Sequence, residues 1–166
     1  MNALWSYFWP IFAAGLVIGA VAGLFGFRRR GRRAKALAIG IAASIAAAAL
    51  WHGPLGAADR FTTRVERGAR QALDYYEMTK VSAHFHRAPL TRTLILAGPA
   101  DDFQTRELAR LLAQLPGVRS ARWIDNSSGP PLIAEAAAVS LVGFLFGLLL
   151  AYLVELRRRY NAQWKW

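Results

Sequence analysis

Cysteine is absent from the chain, and acidic residues are few: 10 Asp and Glu against 21 Lys and Arg give a formal net charge of +11. The lack of cysteine excludes disulfide bonds and thiolate chemistry, and it neither implies nor excludes an oxidising compartment. The chain has no Gly-Lys-Ser/Thr phosphate loop, no Gly-x-Ser-x-Gly elbow and no His-Glu-x-x-His helix. We therefore expect no enzyme activity, no catalytic residues and no cofactor.

Charge is also distributed unevenly along the chain. The first 27 residues carry no charged side chain, whereas six of the next eight are Arg or Lys. The chain is 55% hydrophobic, and such a content conflicts with a high net charge unless apolar and charged residues are kept apart in the sequence. Their separation here indicates a membrane protein.

Three apolar runs, at residues 4–27, 36–51 and 132–153, approach the length that crosses a hydrocarbon core of roughly 30 Å. The second run is shorter and rich in alanine. A cleaved signal peptide is disfavoured, because the basic cluster follows the first run instead of preceding it. The predicted division is transmembrane helix 1–27, basic cytoplasmic loop 28–35, transmembrane helix 36–53, periplasmic domain 54–130, transmembrane helix 131–154 and basic cytoplasmic tail 155–166.

Basic residues set the expected orientation, because short cytoplasmic loops are enriched in Lys and Arg. Both basic clusters would be cytoplasmic, which places the N-terminus and residues 54–130 outside the inner membrane of a bacterium. Nucleic-acid binding by the arginine run is set aside, because the run lies between two apolar segments. The topology-determining residues are Arg28, Arg29, Arg30, Arg32, Arg33, Lys35, Arg157, Arg158 and Arg159.

Residues 54–130 have the periodicities of a small α+β domain. Asp59 is expected to cap a helix whose apolar positions recur at three- and four-residue spacing from Phe61 to Tyr76. Strands are expected at 81–86, 93–97 and 118–124, and a second helix opens at Asp101 and Asp102. The predicted fold class is a membrane protein with three transmembrane α-helices and a small α+β domain, of order α-β-β-α-β, inserted between the second and third helices.

This domain resembles the BON domain of bacterial periplasmic and envelope proteins over about residues 59–125. The resemblance is carried by Leu94-Ile95-Leu96-Ala97-Gly98, by Asp101 and Asp102, by Leu111-Leu112 and by Leu115-Pro116-Gly117-Val118. In that family a strand ending in Gly leads into a helix that ends in a Gly-Val turn. The resemblance implies a periplasmic location, attachment to membranes or phospholipid, and no shared catalytic residue.

Small residues recur at four-residue spacing in the predicted transmembrane helices. Such spacing lets helix backbones approach closely in lipid. We expect these positions to be helix-packing faces, with the second helix or another protein as partner; the alternative is that glycine is simply common in transmembrane helices. The positions are Gly15, Gly19 and Gly23 in the first helix, Gly40 and Ser44 in the second, and Gly143 and Gly147 in the third.

Arg60, Arg64 and Arg67 form a basic stripe on the first helix of the domain. The stripe is a candidate contact for anionic lipid head groups or an acidic partner. The alternative interpretation is a solvated helix face on which Glu66 and Arg70 pair at i, i+4.

Other polar residues give weaker signals. His84 and His86 lie on one side of a strand without further ligands, so no metal site is predicted. His52 is interpreted as an interfacial residue. Glu135 lies within a turn of the start of the third apolar run, where it can reach water, and a transport role is disfavoured. The terminal Trp164-Lys165-Trp166 would lie on the inner leaflet or on a partner.

These features lead to two hypotheses about function. The first is a non-catalytic accessory or scaffold subunit of a larger inner-membrane complex, with helices packed on partner subunits and the BON-like domain stabilising the assembly. The alternative is an autonomous envelope protein whose BON-like domain binds phospholipid or cell-wall material. The expected partners are membrane lipids and other integral membrane subunits, not nucleic acid.

Overall fold

The computed structural model describes residues 2–28, 31, 33–123 and 129–163. These residues form five helices and three strands. From α3 to β3 their order is α-β-β-α-β, as the sequence predicts. The elements are α1 (Ala3–Arg28), α2 (Arg33–His52), α3 (Ala57–Tyr75), β1 (Ser82–Arg87), β2 (Leu90–Ala97), α4 (Asp102–Ala113), β3 (Ser120–Arg122) and α5 (Leu132–Gln163).

Helices α1, α2 and α5 are long and apolar enough to cross a membrane. Helix α5 continues through Gln163, well past the predicted helix end at 154, because its Arg-rich continuation contains no Pro or Gly to interrupt it. The predicted basic tail is therefore helical up to Gln163. Among the residues named in the sequence analysis, Arg29, Arg30, Arg32, Ile124 and Trp164 to Trp166 lie outside the described residues.

The chain divides into two compact units. The first, called here the α/β unit, comprises residues 1–7 and 56–135; the second, called the helical unit, comprises residues 8–55 and 136–166. The α/β unit thus extends beyond the predicted domain of 54–130. It gains the start of α1, where the ring of Tyr7 packs 5.4 Å from that of Phe61, and the start of α5, where Thr91 forms a β-bridge with Pro131.

The α/β unit contains a three-stranded sheet of order β1-β2-β3. Strands β1 and β2 pair antiparallel, with Phe85 opposite Leu94. Strand β3 pairs parallel with β2, which is possible because α4 carries the chain back between them. Helix α3 presents Phe61, Val65, Ala69 and Leu73 as its buried face. Phe61 stacks on Phe85, with 5.9 Å between ring centroids.

The two helix starts of this unit differ from each other. Helix α3 begins at Ala57 after Gly56, which has φ 66° and provides no side-chain cap, so the prediction that Asp59 caps this helix was wrong. Asp59 lies in the first turn, where its charge favours the positive end of the helix dipole. Helix α4 starts as predicted: the Asp101 carboxylate accepts a 2.7 Å hydrogen bond from the Gln104 N–H and completes a capping box.

One apolar prediction, at the end of α3, also changes. Tyr76, predicted on the buried face of α3, follows the end of the helix and is exposed. The turn after α4 packs closely on α3: Gly117 has φ 111°, and a Cβ added there would lie 2.9 Å from Val65 Cγ2. Glycine meets both conditions, because it has no Cβ and readily adopts a positive φ.

Candidate functional site

The helical unit brings most of the predicted small residues together. The glycines of α1 and of α5 face the opposite helix so closely that the main chains touch. A Cβ added at Gly15 or Gly19 would collide with the backbone of Ser140 or Phe144, and one added at Gly143 or Gly147 would collide with the backbone of Phe12 or Leu16. From the sequence we expected the first-helix glycines to pack on the second helix or on another protein. In the structure the glycines of α1 pack on α5 instead, and those of α5 pack on α1. Gly23 differs, since its added Cβ would meet the side chain of Ala151.

Helix α2 joins this contact through Gly40, Ser44 and Ala48, which form its buried face. A Cβ added at Gly40 would lie 2.6 Å from Phe144 Cε2. The Ser140 hydroxyl donates a 2.9 Å hydrogen bond to the Ser44 carbonyl. The Ser44 hydroxyl is itself buried and has no hydrogen-bond partner within the described part of the chain.

Sequence reasoning missed Ser140 and Phe144 as members of this contact. Ser140 precedes Gly143 by three residues and Gly147 by seven, and this spacing places all three on one helix face. That signal was available. Phe144 carried no comparable signal, because a phenylalanine in an apolar run is as consistent with a lipid-facing position as with a buried one.

The outward side of α2 exposes a row of small residues. We call these residues, Ala38, Ala42, Ala46 and Ala49, the alanine face. All four are exposed, as is Ile45 among them. In the most apolar 18 residues of each helix, the buried share is smallest for α2, at 17% against 33% for α1 and 28% for α5. Outside this face α2 exposes the large side chains of Leu37, Ile39, Ile41 and Leu50. The exposed positions of α1 and α5 likewise carry mostly large side chains, among them Val17, Val21, Phe25, Leu145, Phe146 and Leu149.

The α/β unit presents the predicted basic stripe on α3, which we call the arginine face: Arg60, Arg64 and Arg67, all exposed. Arg64 Nη1 donates a 2.6 Å hydrogen bond to Ser6 Oγ in the first turns of α1. Arg67 makes no ion pair or hydrogen bond to the described residues. The first turn of α1 also carries Trp5, which is 60% exposed.

The i, i+4 pair expected between Glu66 and Arg70 does not form, and this prediction was wrong. Glu66 instead reaches the outer edge of β1, and Arg70 reaches the segment just before it. Glu66 Oε1 accepts a 2.9 Å hydrogen bond from the Phe85 N–H, and Arg70 donates to the carbonyls of Val81 and Thr79 at 2.9 and 3.2 Å. Helix α3 thereby satisfies backbone groups of an edge strand that would otherwise be open to pairing with another chain.

Glu135 has charged partners that the sequence did not suggest. Its carboxylate lies 3.0 Å from Arg92 Nε and 3.9 Å from Arg119 Nη1, and its side chain is 19% exposed. A half-buried carboxylate needs such compensation. The ion pair links the first turn of α5 to β2.

The two strand histidines do not converge on a common site. His84 is exposed, and His86 Nδ1 lies 3.2 Å from the Pro89 carbonyl oxygen. Among the residues that the structure describes, no group of three or more His, Asp or Glu side chains could hold a metal ion.

The basic clusters of the helical unit lie at helix ends. Arg28 ends α1, Arg33 begins α2 with Lys35 in its first turn, and Arg157 to Arg159 lie in the last turns of α5. Arg157 and Arg158 line an open groove of about 460 Å³ together with Val154, Asn161 and Ala162. Arg159 points elsewhere and pairs with Glu155 at 3.0 Å.

Comparison with known proteins identifies no relative: no protein-family model, no curated protein and no solved structure matches the chain. The resemblance to the BON domain therefore stays a prediction that rests on the quoted residues and the element order.

Proposed function

We propose that this chain is a three-pass membrane protein that serves as a non-catalytic accessory subunit of a larger complex in the inner membrane of a bacterium. In this proposal α1, α2 and α5 cross the bilayer, and residues 54–130 lie on the periplasmic side. The length and hydropathy of the three helices support the crossings. The basic residues at the end of α1, the start of α2 and the end of α5 support the orientation, because cytoplasmic segments are enriched in Arg and Lys.

The alanine face of α2 is the observation that carries the proposal. The glycines of α1 and α5 are already used for contact within the chain, so a partner helix needs another surface that permits close approach. Lipid tails are as apolar as leucine, and helices associate in a bilayer through close packing rather than apolar burial. An exposed face of small residues therefore suits a partner helix, whereas the large side chains exposed elsewhere on α1, α2 and α5 suit lipid.

The test replaces two central residues of this face, Ala42→Leu with Ala46→Leu, in a tagged chain extracted in mild detergent. We expect the unmodified chain to migrate on a native gel as a stoichiometric assembly, whose subunits mass spectrometry identifies. The double variant should leave the assembly, because the larger side chains hold the partner backbone away. Ala138→Leu makes the same change at an exposed position of α5, and it should remain assembled. A lone monomer of the unmodified chain would contradict the proposal.

The second candidate is an autonomous envelope protein whose α/β unit binds phospholipid or cell-wall material. The arginine face favours it, because its three side chains are exposed and Glu66, which lies between Arg64 and Arg67 in sequence, is engaged with β1. The same gel separates the two candidates. A small species that carries bound anionic lipid would support the second candidate if that lipid is lost when all three arginines of the arginine face are changed to Glu.

A further inference from the structure

The last turns of α5 form a continuous face beyond the apolar run. Val154, Arg157, Arg158, Asn161 and Ala162 follow one another at three- and four-residue spacing, so they lie on one side of the helix. Together they line the groove of about 460 Å³, which we call the α5 groove. Leu150, one turn before Val154, is exposed at its apolar end. The groove therefore grades from an apolar end to a cationic one.

The charges at the α5 groove are unbalanced. The nearest acid on the helix, Glu155, is held by Arg159 at 3.0 Å, and neither residue lines the groove. Arg157 and Arg158 form no ion pair with any of the described residues. Within the described part of α5, two guanidinium groups and the Asn161 amide are thus presented without an unpaired carboxylate beside them, an arrangement that favours an anion.

The chemistry of the two ends of the α5 groove indicates which class of anion it binds. Guanidinium groups bind phosphate oxygens through paired hydrogen bonds, and an adjacent apolar surface suits acyl chains. The basic end of α5 belongs to the cytoplasmic side in the orientation proposed above, and the cytoplasmic leaflet carries anionic lipids. We propose that the α5 groove binds an anionic phospholipid, with Arg157 and Arg158 on its phosphate and with Leu150 and Val154 against its acyl chains.

This inference rests on the proposed membrane insertion and orientation but needs no partner protein, so the two proposals fail separately. The experiment uses the purified full chain in zwitterionic phosphatidylcholine nanodiscs that contain increasing fractions of phosphatidylglycerol. Native mass spectrometry then counts the retained lipids of each kind. We expect the chain to retain phosphatidylglycerol in preference to phosphatidylcholine. One Arg near an anionic membrane surface contributes roughly fivefold, so Arg157→Gln and Arg158→Gln should each reduce the preference by about that factor.

Arg159→Gln is the matched control, because it removes the same charge from the next residue but leaves the α5 groove intact. It should keep the preference of the unmodified chain. Arg64→Gln, on the arginine face of α3, should also keep it, which separates this site from the second candidate function. An equal loss in the Arg158 and Arg159 variants would overturn the proposal, since net charge alone would then explain retention. Displacement of the lipid by millimolar inorganic phosphate would also overturn it, because the groove would then be a phosphate site.

Discussion

The α/β unit and the helical unit place their large and small side chains in opposite ways. In the α/β unit the interior consists of large apolar side chains, and Phe61, Phe85 and Leu94 are each at most 3% exposed. In the helical unit the interior consists largely of glycine, serine and main chain. Leu145 and Leu149 lie outside, and each is more than half exposed. Ile11 and Phe144 are large apolar side chains of this unit that are nevertheless buried.

This inversion follows from the solvent that each unit is proposed to meet. In water the removal of apolar area is the main favourable term in folding, so a unit that faces water gains from enclosing its leucines. In lipid the same leucine gains nothing by turning inward, and contact between close-packed backbones holds helices together. The contrast supports the proposal that the helical unit lies in the bilayer, and it makes the energetic role of a residue depend on its unit.

The largest expected effect comes from one substitution made in both units, Gly→Ala. At Gly147 the added Cβ would collide with the Leu16 carbonyl and lie 2.6 Å from the Ala20 N. Because backbone cannot rotate away, we expect Gly147→Ala to lower the free energy of unfolding by about 3 kcal/mol, the upper part of the range for overpacked cores. At Gly68 in α3 nothing lies within 4 Å of the added atom. There the loss of glycine's conformational freedom should raise stability by roughly 0.5–1 kcal/mol.

Thermal unfolding of the full chain in one detergent, followed by circular dichroism, measures both variants. Gly26→Ala is the control inside the helical unit, because its added Cβ would lie 3.6 Å from Ala36 Cβ, an ordinary contact distance. It should leave the unfolding temperature unchanged or raise it. If Gly147→Ala is equally harmless, the α1–α5 contact does not depend on backbone approach and the comparison between the units fails.

The second prediction removes a leucine from each unit. Leu94 is fully buried in β2, and Leu94→Ala should cost about 3 kcal/mol through lost burial and the cavity left behind. Leu149 is 51% exposed on α5. If it faces lipid, Leu149→Ala should change stability by less than about 0.5 kcal/mol, since the side chain meets similar surroundings in the folded and separated helices. Equal costs for the two variants, measured by the same unfolding experiment, would argue that Leu149 contacts protein rather than lipid.

The sequence predicts the elements of both units well, because each element follows from local periodicity. The three apolar helices, the α-β-β-α-β order and the start of α4 at Asp101 and Asp102 are all recovered. The errors at Asp59 and Tyr76 also have a local cause. An acid before an amphipathic run fits both the cap and the first turn, and an aromatic residue at the end of the run fits either side of the helix boundary.

Contacts between distant residues could not be predicted in this way. Glu66 and Arg70 have the spacing of a helix ion pair, yet they do not bind each other. Glu66 accepts a hydrogen bond from a backbone N–H of β1, and Arg70 donates to a backbone carbonyl just before β1. Glu135 similarly pairs with Arg92, 43 positions earlier. For the glycines, spacing shows which helix face is small but not which helix meets it. That choice depends on how the three helices pack, and single-sequence periodicity carries no such information.

The smallest expected effect concerns hydroxyl groups in the helical unit. Ser140 Oγ donates to the Ser44 carbonyl at 2.9 Å, whereas Ser44 Oγ is buried without a partner among the described residues. Ser140→Ala should lower stability by about 0.6 kcal/mol, the average for hydrogen bonds between membrane helices. Ser44→Ala should be neutral or stabilising, because it removes a polar group that makes no bond. For the α/β unit, Asp101→Ala should cost about 1 kcal/mol, since it leaves the first turn of α4 uncapped.

The order of these three variants sharpens the comparison more than any single value does. Loss of the Asp101 cap exposes an N–H group whose hydrogen bond water replaces only in part. In lipid, by contrast, the separated helices find alternative partners for a serine hydroxyl, so its loss costs less. The loss should therefore be largest for Asp101→Ala, smaller for Ser140→Ala and absent for Ser44→Ala. If Ser140→Ala costs several kcal/mol, its hydrogen bond is a principal contact of the bundle. The glycine contacts would then be secondary, and close backbone packing would no longer explain why the helical unit keeps its small residues inside.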